Sequence, residues 1–412
     1  MNILLLNQTF YPDVVATAQV LSEAATALAA RGHAVTVLTS RRAYDDPRRA
    51  FPRRETWRGV RIVRVGATGF GKRARWRRAV DFGSFMASCA ARLAVMPRPD
   101  VVVALTSPPL ISVLGALFAR WRRARFVYWV MDLNPDEALA AGWLRDGSLA
   151  ARWLEAVSRF SLKRADAIVA LDRFMAERIA AKGVAPEKIA VLPPWSHDEA
   201  VRFDAAGREA FRREHGLGDK FVVMYSGNHS PCHPLDTLLA AAEAMAGEER
   251  FVFLFVGGGS EFGRVQRRAR ERGLANVRCL PYQPLERLSA SLSAADLHVV
   301  VMGERFVGTI HPCKIYNVLR VRAPVLYIGP QPSHLSDVLA RLGSEVCGRI
   351  AHGDVAGCVR EIRRIAALRR RGEPERFEAV AEEFSGGRLL PRFIEWVEGG
   401  ARARVPAAVC GA

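Results

Sequence analysis

The chain has no cysteine framework. Its seven cysteines, at 89, 232, 279, 313, 347, 358 and 410, are odd in number, scattered, and include no C-x-x-C pair. That excludes a disulfide scaffold or a clustered zinc site and fits a reducing compartment. Long uninterrupted apolar runs are missing too. The longest, Val101 to Ala119, is broken by Pro108 and Pro109 into pieces too short to cross a bilayer. It reads as a buried strand followed by a helix. Met1 leads straight into Ile3-Leu-Leu-Leu6, so no signal peptide is expected. The first strand-like run continues into Asn7-Gln-Thr-Phe-Tyr-Pro-Asp13 with no glycine, so the G-x-G-x-x-G dinucleotide fingerprint is absent where it would be needed. No D-x-D, internal repeat or low-complexity segment occurs.

Acid is the scarcer charge. Against 60 Lys and Arg stand 42 Asp and Glu, a net charge of +18. Residues 1 to 195 hold 30 basic and 16 acidic residues, leaving the remainder at only +4. Between Arg41 and Arg78, 14 basic residues face Asp45, Asp46 and Glu55. Such a patch recruits polyanions (nucleic acid, anionic lipid or pyrophosphate) or is the solvated surface of an arginine-rich protein.

What is present is α/β alternation over 412 residues, enough for two domains. Strand-like runs recur at Asn2 to Leu6, Ala34 to Thr39, Val60 to Val65, Asp100 to Leu105, Phe126 to Met131, Ala167 to Ala170 and Ile189 to Leu192. Helical patterns lie between them, implying a parallel sheet with helices on its faces. Leu192-Pro-Pro-Trp-Ser-His197 reads as a hinge. The alternation restarts at Phe221 to Tyr225 and continues through Phe251 to Val256 and Leu297 to Met302 to Val325 to Ile328. Helical segments follow at Asp354 to Arg371, Pro374 to Glu383 and Arg388 to Glu398. The expected organisation is a domain over 1–195, a second over 196–385, a helix over 386–400 able to cross back to the first, and a loose tail over 401–412.

The second half carries three loops at strand ends: Tyr225-Ser-Gly-Asn228, Val256-Gly-Gly-Gly-Ser-Glu261 and Pro312-Cys-Lys-Ile-Tyr-Asn317. Ligands of open α/β sheets bind where such loops feed helix N-termini, whose free N–H groups attract anions. Three of them suggest a nucleotide pocket.

The order of Asn7-Gln-Thr-Phe-Tyr-Pro12, Arg31-Gly-His-Ala-Val-Thr-Val-Leu-Thr39, Ser107-Pro-Pro-Leu110 and Asp132-Leu-Asn-Pro-Asp136 resembles glycosyltransferase family 4, in its colanic-acid-biosynthesis-like branch. The likeness continues through Gly227-Asn228, Val256-Gly-Gly-Gly259, Leu280-Pro-Tyr-Gln-Pro284 and Ala294-Ala-Asp-Leu-His-Val-Val300, covering nearly the whole chain. It implies the GT-B architecture, two Rossmann-like doubly wound domains facing across a cleft. It also implies retaining transfer from a nucleotide-sugar, with donor in the C-terminal domain and acceptor in the N-terminal one. The leaving diphosphate needs cations and backbone N–H groups, and without D-x-D no metal and no cofactor are expected.

Two departures stand out. The family's phosphate Arg and Lys positions hold Asn228 and His233, and its E-x7-E glutamates fall on Thr309 and Asn317. Lys314, in a Pro-x-Lys element, is then either the replacement phosphate cation or an exposed first-turn lysine. His233 is either a phosphate donor or a helix start. Glu261 is a ribose acceptor or an acid placed by the helix dipole. Tyr282 and Gln283 are candidate base contacts, and Gly227, Gly257, Gly258, Gly259, Thr309, His311 and Asn317 complete the donor set. Tyr11, Pro12, Asp13, Ser107 and Asp132 form the acceptor set, Asp132 and Lys314 being the catalytic candidates and Glu304 a further acid. In the pattern Lys72 to Met96, Arg73, Arg75, Arg77 and Arg78 mix with Trp76, Phe82, Phe85 and Met86, which suits either an anionic membrane or a core-facing helix.

These readings predict a cytoplasmic enzyme, peripheral on the inner face of the membrane, extending a lipid-linked or oligosaccharide acceptor without binding nucleic acid. The alternatives are a nucleotide-sugar epimerase and a non-catalytic nucleotide- or lipid-binding partner. A nucleic-acid binder using the basic patch lacks any accompanying motif.

Overall fold

The structure is a computed structural model that describes residues 1–13, 15–44, 46, 48–70, 75–196, 201–368 and 374–400. Of the sequence expectations, Lys72, Arg73, His197, Arg371 and the tail 401–412 lie outside these residues. The chain divides into two compact units. One comprises residues 1–194, 308–310 and the C-terminal residues from 389; the other comprises 195–307 and 311–388.

The first unit holds β1 (Asn2–Leu6), β2 (Ala34–Ser40), β3 (Arg54–Trp57), β4 (Val60–Val65), β5 (Val101–Ala104), β6 (Arg125–Trp129), β7 (Ala167–Ala170) and β8 (Ile189–Val191). They form one sheet in the order β3-β4-β2-β1-β5-β6-β7-β8. All pairings are parallel except β3 with β4. The sequence reading missed β3, since Arg-Glu-Thr-Trp carries no apolar alternation; as an edge strand it needs none. From β1 the chain runs out through β2 to β3 and β4 at one edge, returns past β1 and continues through β5, so β1 and β5 flank the point where winding reverses. Their carboxyl ends deliver Asn7 and Ser107. The C-terminal helix Gly386–Glu398 closes this unit. Phe393 packs on Trp129 at 4.1 Å, and Arg125 Nη1 donates to the carbonyls of Trp396 and Val397 at 2.9 and 2.6 Å.

The second unit holds β9 (Phe221–Asn228), β10 (Phe251–Gly258), β11 (Val277–Leu280), β12 (Leu297–Val301), β13 (Val325–Ile328) and β14 (Cys347–Ile350), in the order β11-β10-β9-β12-β13-β14. All are parallel. This is the 3-2-1-4-5-6 order of a doubly wound sheet. Alternation along β9 divides its side chains between two cores: Val223 and Tyr225 join one with Leu238, Phe253 and Ile362, while Val222 and Met224 join the other with Phe211 and Leu254. Both faces are covered, as a parallel sheet requires.

One expectation is corrected here. Ser226–Asn228 and Gly257–Gly258 were read as loop, yet they continue the ladder, with Gly257 opposite Gly227 and Gly258 opposite Asn228. A Cβ on Gly257 would lie 2.1 Å from the Gly227 carbonyl oxygen, and one on Gly259 2.3 Å from Asn228 Oδ1. These glycines let two strand ends approach one another. The helix after β9 begins at Asp236, so His233 does not start it, and the predicted Lys72 to Met96 helix is described over Arg75–Ala94.

Candidate active site

In the second unit, β9 and β12 flank the reversal of winding, which is where ligands of such sheets bind. The candidate residues collect there. Lys314 opens the helix Lys314–Arg320. Its Nζ donates to Tyr225 Oη at 2.6 Å and stands 4.0 Å from the centre of that ring. A Cβ on Gly227 would lie 3.4 Å from Lys314 Nζ. The Tyr225 hydroxyl in turn donates a hydrogen bond to the Asn228 carbonyl at 2.8 Å. Among the described residues Lys314 has no carboxylate partner. Burial lowers its pKa to about 7, with a smaller opposing effect from Cys313. The Tyr225 phenol is held well above its ordinary value by burial, so it stays a phenol beside the lysine.

Two histidines border this lysine without adding charge. His233 Nδ1 contacts the Val301 carbonyl at 2.7 Å, tying the loop after β9 to the end of β12. Burial, then the Lys314 charge, push its pKa well below the ordinary value. His229 is fully buried, with Nδ1 3.0 Å from the Gly227 carbonyl and its ring edge-on to Tyr225 and Phe262. Its pKa falls to about 4, again through burial and then Lys314. Lys314 is therefore the cation of this group. Sequence reasoning missed Tyr225 and His229; their signal was a tyrosine ending an apolar strand and a histidine directly after Gly-Asn.

The remaining donor candidates are spread around this centre. The backbone N–H of Glu261 donates to the His229 carbonyl at 3.1 Å, and its carboxylate lies 3.5 Å from Arg264. Glu261, His233, Ser230 and Arg264 line a cavity of about 260 Å³. Tyr282 is exposed, and its ring lies 3.0 Å from where a Gly258 Cβ would stand. Gln283 Nε2 donates to the Pro281 carbonyl at 3.1 Å. His311 is buried, 2.6 Å from the Tyr316 hydroxyl, and Asn317 is half-buried one turn after Lys314. Thr309 is not grouped with these: it is counted in the first unit, its carbonyl accepting the Leu133 N–H at 2.8 Å. Glu304 is exposed beside a second cavity that also includes His352 and Arg268.

In the first unit the acceptor candidates sit at the ends of β1, β5 and β6. Asn7 is fully buried; its amide nitrogen donates to the Thr9 carbonyl at 2.8 Å and its oxygen accepts from the Ser107 N–H at 3.3 Å. Tyr11, followed by Pro12, stacks on Trp57 at 4.1 Å, and its carbonyl accepts from buried Arg64 at 2.7 Å. Asp13 accepts the Tyr44 N–H at 3.0 Å. The loop is thus built rather than loose. Asp132 follows β6, and burial raises its pKa. Glu137 is raised by burial first and then by the Asp132 charge, against Arg78 and a hydrogen bond from Asn134. Two carboxyl groups that resist ionising together hold a proton near neutrality. Glu137 was not foreseen, because its pairing depends on the turn Leu133–Asp136.

Residues 16–195 match the family model described as a glycosyl transferase 4-like domain. Over 407 residues the chain is 27% identical to the "Putative colanic acid biosynthesis glycosyl transferase WcaI" of Escherichia coli K12, covering 95% of this chain and 93% of that protein. The fold is similar to sucrose-phosphate synthase from Thermosynechococcus elongatus, with a TM-score of 0.75, 16% identity and coverage of 97% and 99%. It is also similar to Anabaena HepE in complex with UDP-glucose, with a TM-score of 0.71, 14% identity and coverage of 97% and 100%.

Proposed function

We propose that the chain is a family 4 glycosyltransferase of GT-B architecture that transfers a sugar, with retention, from a nucleoside-diphosphate sugar to a lipid-linked glycan at the inner face of the cytoplasmic membrane. The second unit binds the donor and the first receives the acceptor. When the anomeric carbon parts from the diphosphate, the bond's electrons remain on the phosphate oxygen, and that charge must be met.

The observation that carries this reading is the Lys314 ammonium. It sits at the reversal of the second sheet, 2.6 Å from a phenol and, among the described residues, with no carboxylate on it. A lysine whose charge is unneutralised by the protein suits an anionic ligand. It takes over from the family's missing Arg and Lys, so no metal is required. Donor contacts then come from Lys314, the strand ends at Gly227 and Asn228, and the Gly257–Glu261 turn. In the first unit Asp132, beside Glu137, contacts the acceptor hydroxyl, with Tyr11, Asp13 and Ser107 around it. UDP-glucose bound to a protein of similar fold makes uridine sugars the first donors to try.

Thermal-shift measurements with UDP, GDP, ADP, dTDP and CMP sugars test this. A ligand at 100 times its Kd adds about 2.7 kcal/mol of stability. The expected result is a shift with one nucleotide class, lost in Lys314→Ala and unchanged by EDTA. No shift with any of them, or an equal shift in Lys314→Ala, refutes the donor assignment.

A further inference from the structure

We propose that the outer face of three helices in the first unit, Arg75–Ala94, Ile111–Arg122 and Leu149–Arg164, is a docking surface for an anionic lipid bilayer. This deepens the transferase reading by naming the surface that brings the enzyme to a lipid-borne acceptor, and its purpose rests on that reading. The three helices pack side by side. Arg122, at the end of the second, donates to the Ala94 and Met96 carbonyls at the end of the first, at 3.2 and 2.9 Å.

A helix lying on a protein surface normally turns its charged side to water. These helices also turn large apolar residues to water, beside their charges. On the first, Trp76, Val80, Gly83, Ala87, Ala91 and Ala94 recur at helical spacing, and every one is exposed. Phe85 and Cys89, on the other side, are buried. Phe85 is thus core-facing, whereas Trp76 is 62% exposed, with exposed Phe70 6.4 Å away. On the second helix Leu117 and Trp121, one turn apart, are 49% and 60% exposed. On the third, Leu149 and Trp153, again one turn apart, are 83% and 61% exposed. Solvent-facing apolar residues spread over three adjoining helices mark an interaction surface.

The charges identify the occupant. Arg78, Arg120, Arg152 and Arg159 are exposed on the same helices. The Arg77 guanidinium lies 5.4 Å from the Trp76 ring and that of Arg122 3.9 Å from the Trp121 ring. The only acids on the three helices are Asp81 and Glu155, and neither is exposed. Asp81 accepts from the Thr68 hydroxyl and the Phe70 N–H, while Glu155 is paired with Lys182 and Arg159. Tryptophans flanked by arginines, on a face without free acid, have the composition of a helix surface seated among anionic headgroups. A second copy of the same face would set arginine against arginine, which disfavours self-association.

The test is co-sedimentation of the full chain with vesicles of phosphatidylglycerol and phosphatidylcholine, or of phosphatidylcholine alone, at low and high salt. Binding to the anionic vesicles is expected, weakened by salt, and reduced at least tenfold in a Trp76→Ser/Trp121→Ser/Trp153→Ser variant whose melting curve matches the parent. Failure of the wild type to bind anionic vesicles overturns the proposal. So does equal binding by the variant, or a dimer in sedimentation velocity that the variant loses while no vesicle binding is seen. Nucleotide shifts measured without vesicles keep the two readings apart. Their absence alongside Trp-dependent vesicle binding rejects the donor assignment and supports the docking surface.

Discussion

Lys314 combines two properties seldom found together, a position at the ligand-binding edge of a doubly wound sheet and a pKa lowered by burial to about 7. The sign of the consequence follows from its charge. Below that pH the free site carries an ammonium, and above it a neutral amine that offers the diphosphate much less. A nucleotide-sugar diphosphate has no proton of its own to lose in this range. Its Kd at pH 8 should therefore be roughly tenfold weaker than at pH 6. Calorimetric titration at both pH values checks this, and Lys314→Arg, always charged, should flatten the dependence. Lys314 was legible as a candidate from its Pro-x-Lys setting. Tyr225 and His229 were not, because their parts depend on a ring seated under an ammonium and on a backbone carbonyl, which residue type does not announce. His233 was legible as a position and not as a charge state: burial decides that it is neutral.

At the scale of elements, the glycines show how a correct position can carry an incomplete reason. Gly227 and Gly257 were singled out as donor-binding residues. In the fold they are partners in a parallel ladder, with φ of +131° and +136°. Gly257→Ala would drive a methyl into the Gly227 carbonyl at 2.1 Å in a conformation that L residues avoid. A loss of about 3 kcal/mol is expected, together with loss of nucleotide binding. Gly247→Ala, with nothing within 4 Å of the added carbon, should stay within about 0.5 kcal/mol. Urea melts of the two variants make the comparison. Most parallel strands were legible because buried β-branched runs between helical patterns are hard to mistake. The strands that were not, the antiparallel β3 and the parallel β11 and β14, are short edge strands without such a run.

For the whole molecule, the uneven charge was plain in the sequence, but the surface that uses it was not. Trp121 and Trp153 drew no reading from the sequence, because only the folded helices show which side faces out. The return of the C-terminal helix to the first unit was a suggestion that spacing alone could not weigh. Its weight is large: Phe393, Trp396 and Val397 are buried, and each such side chain contributes about 1.5–3 kcal/mol. Ending the chain at Ser385 should leave the first unit largely insoluble or rapidly proteolysed, which expression trials and limited proteolysis would show.

That same helix bears on how the protein is made. Trp129 emerges from the ribosome well before the phenylalanine that covers it at 4.1 Å, which follows the second unit in the chain. Domains usually fold in the order of synthesis. Here the first-made unit must wait, its sheet formed but one side uncapped, until the whole of the second unit has been synthesised.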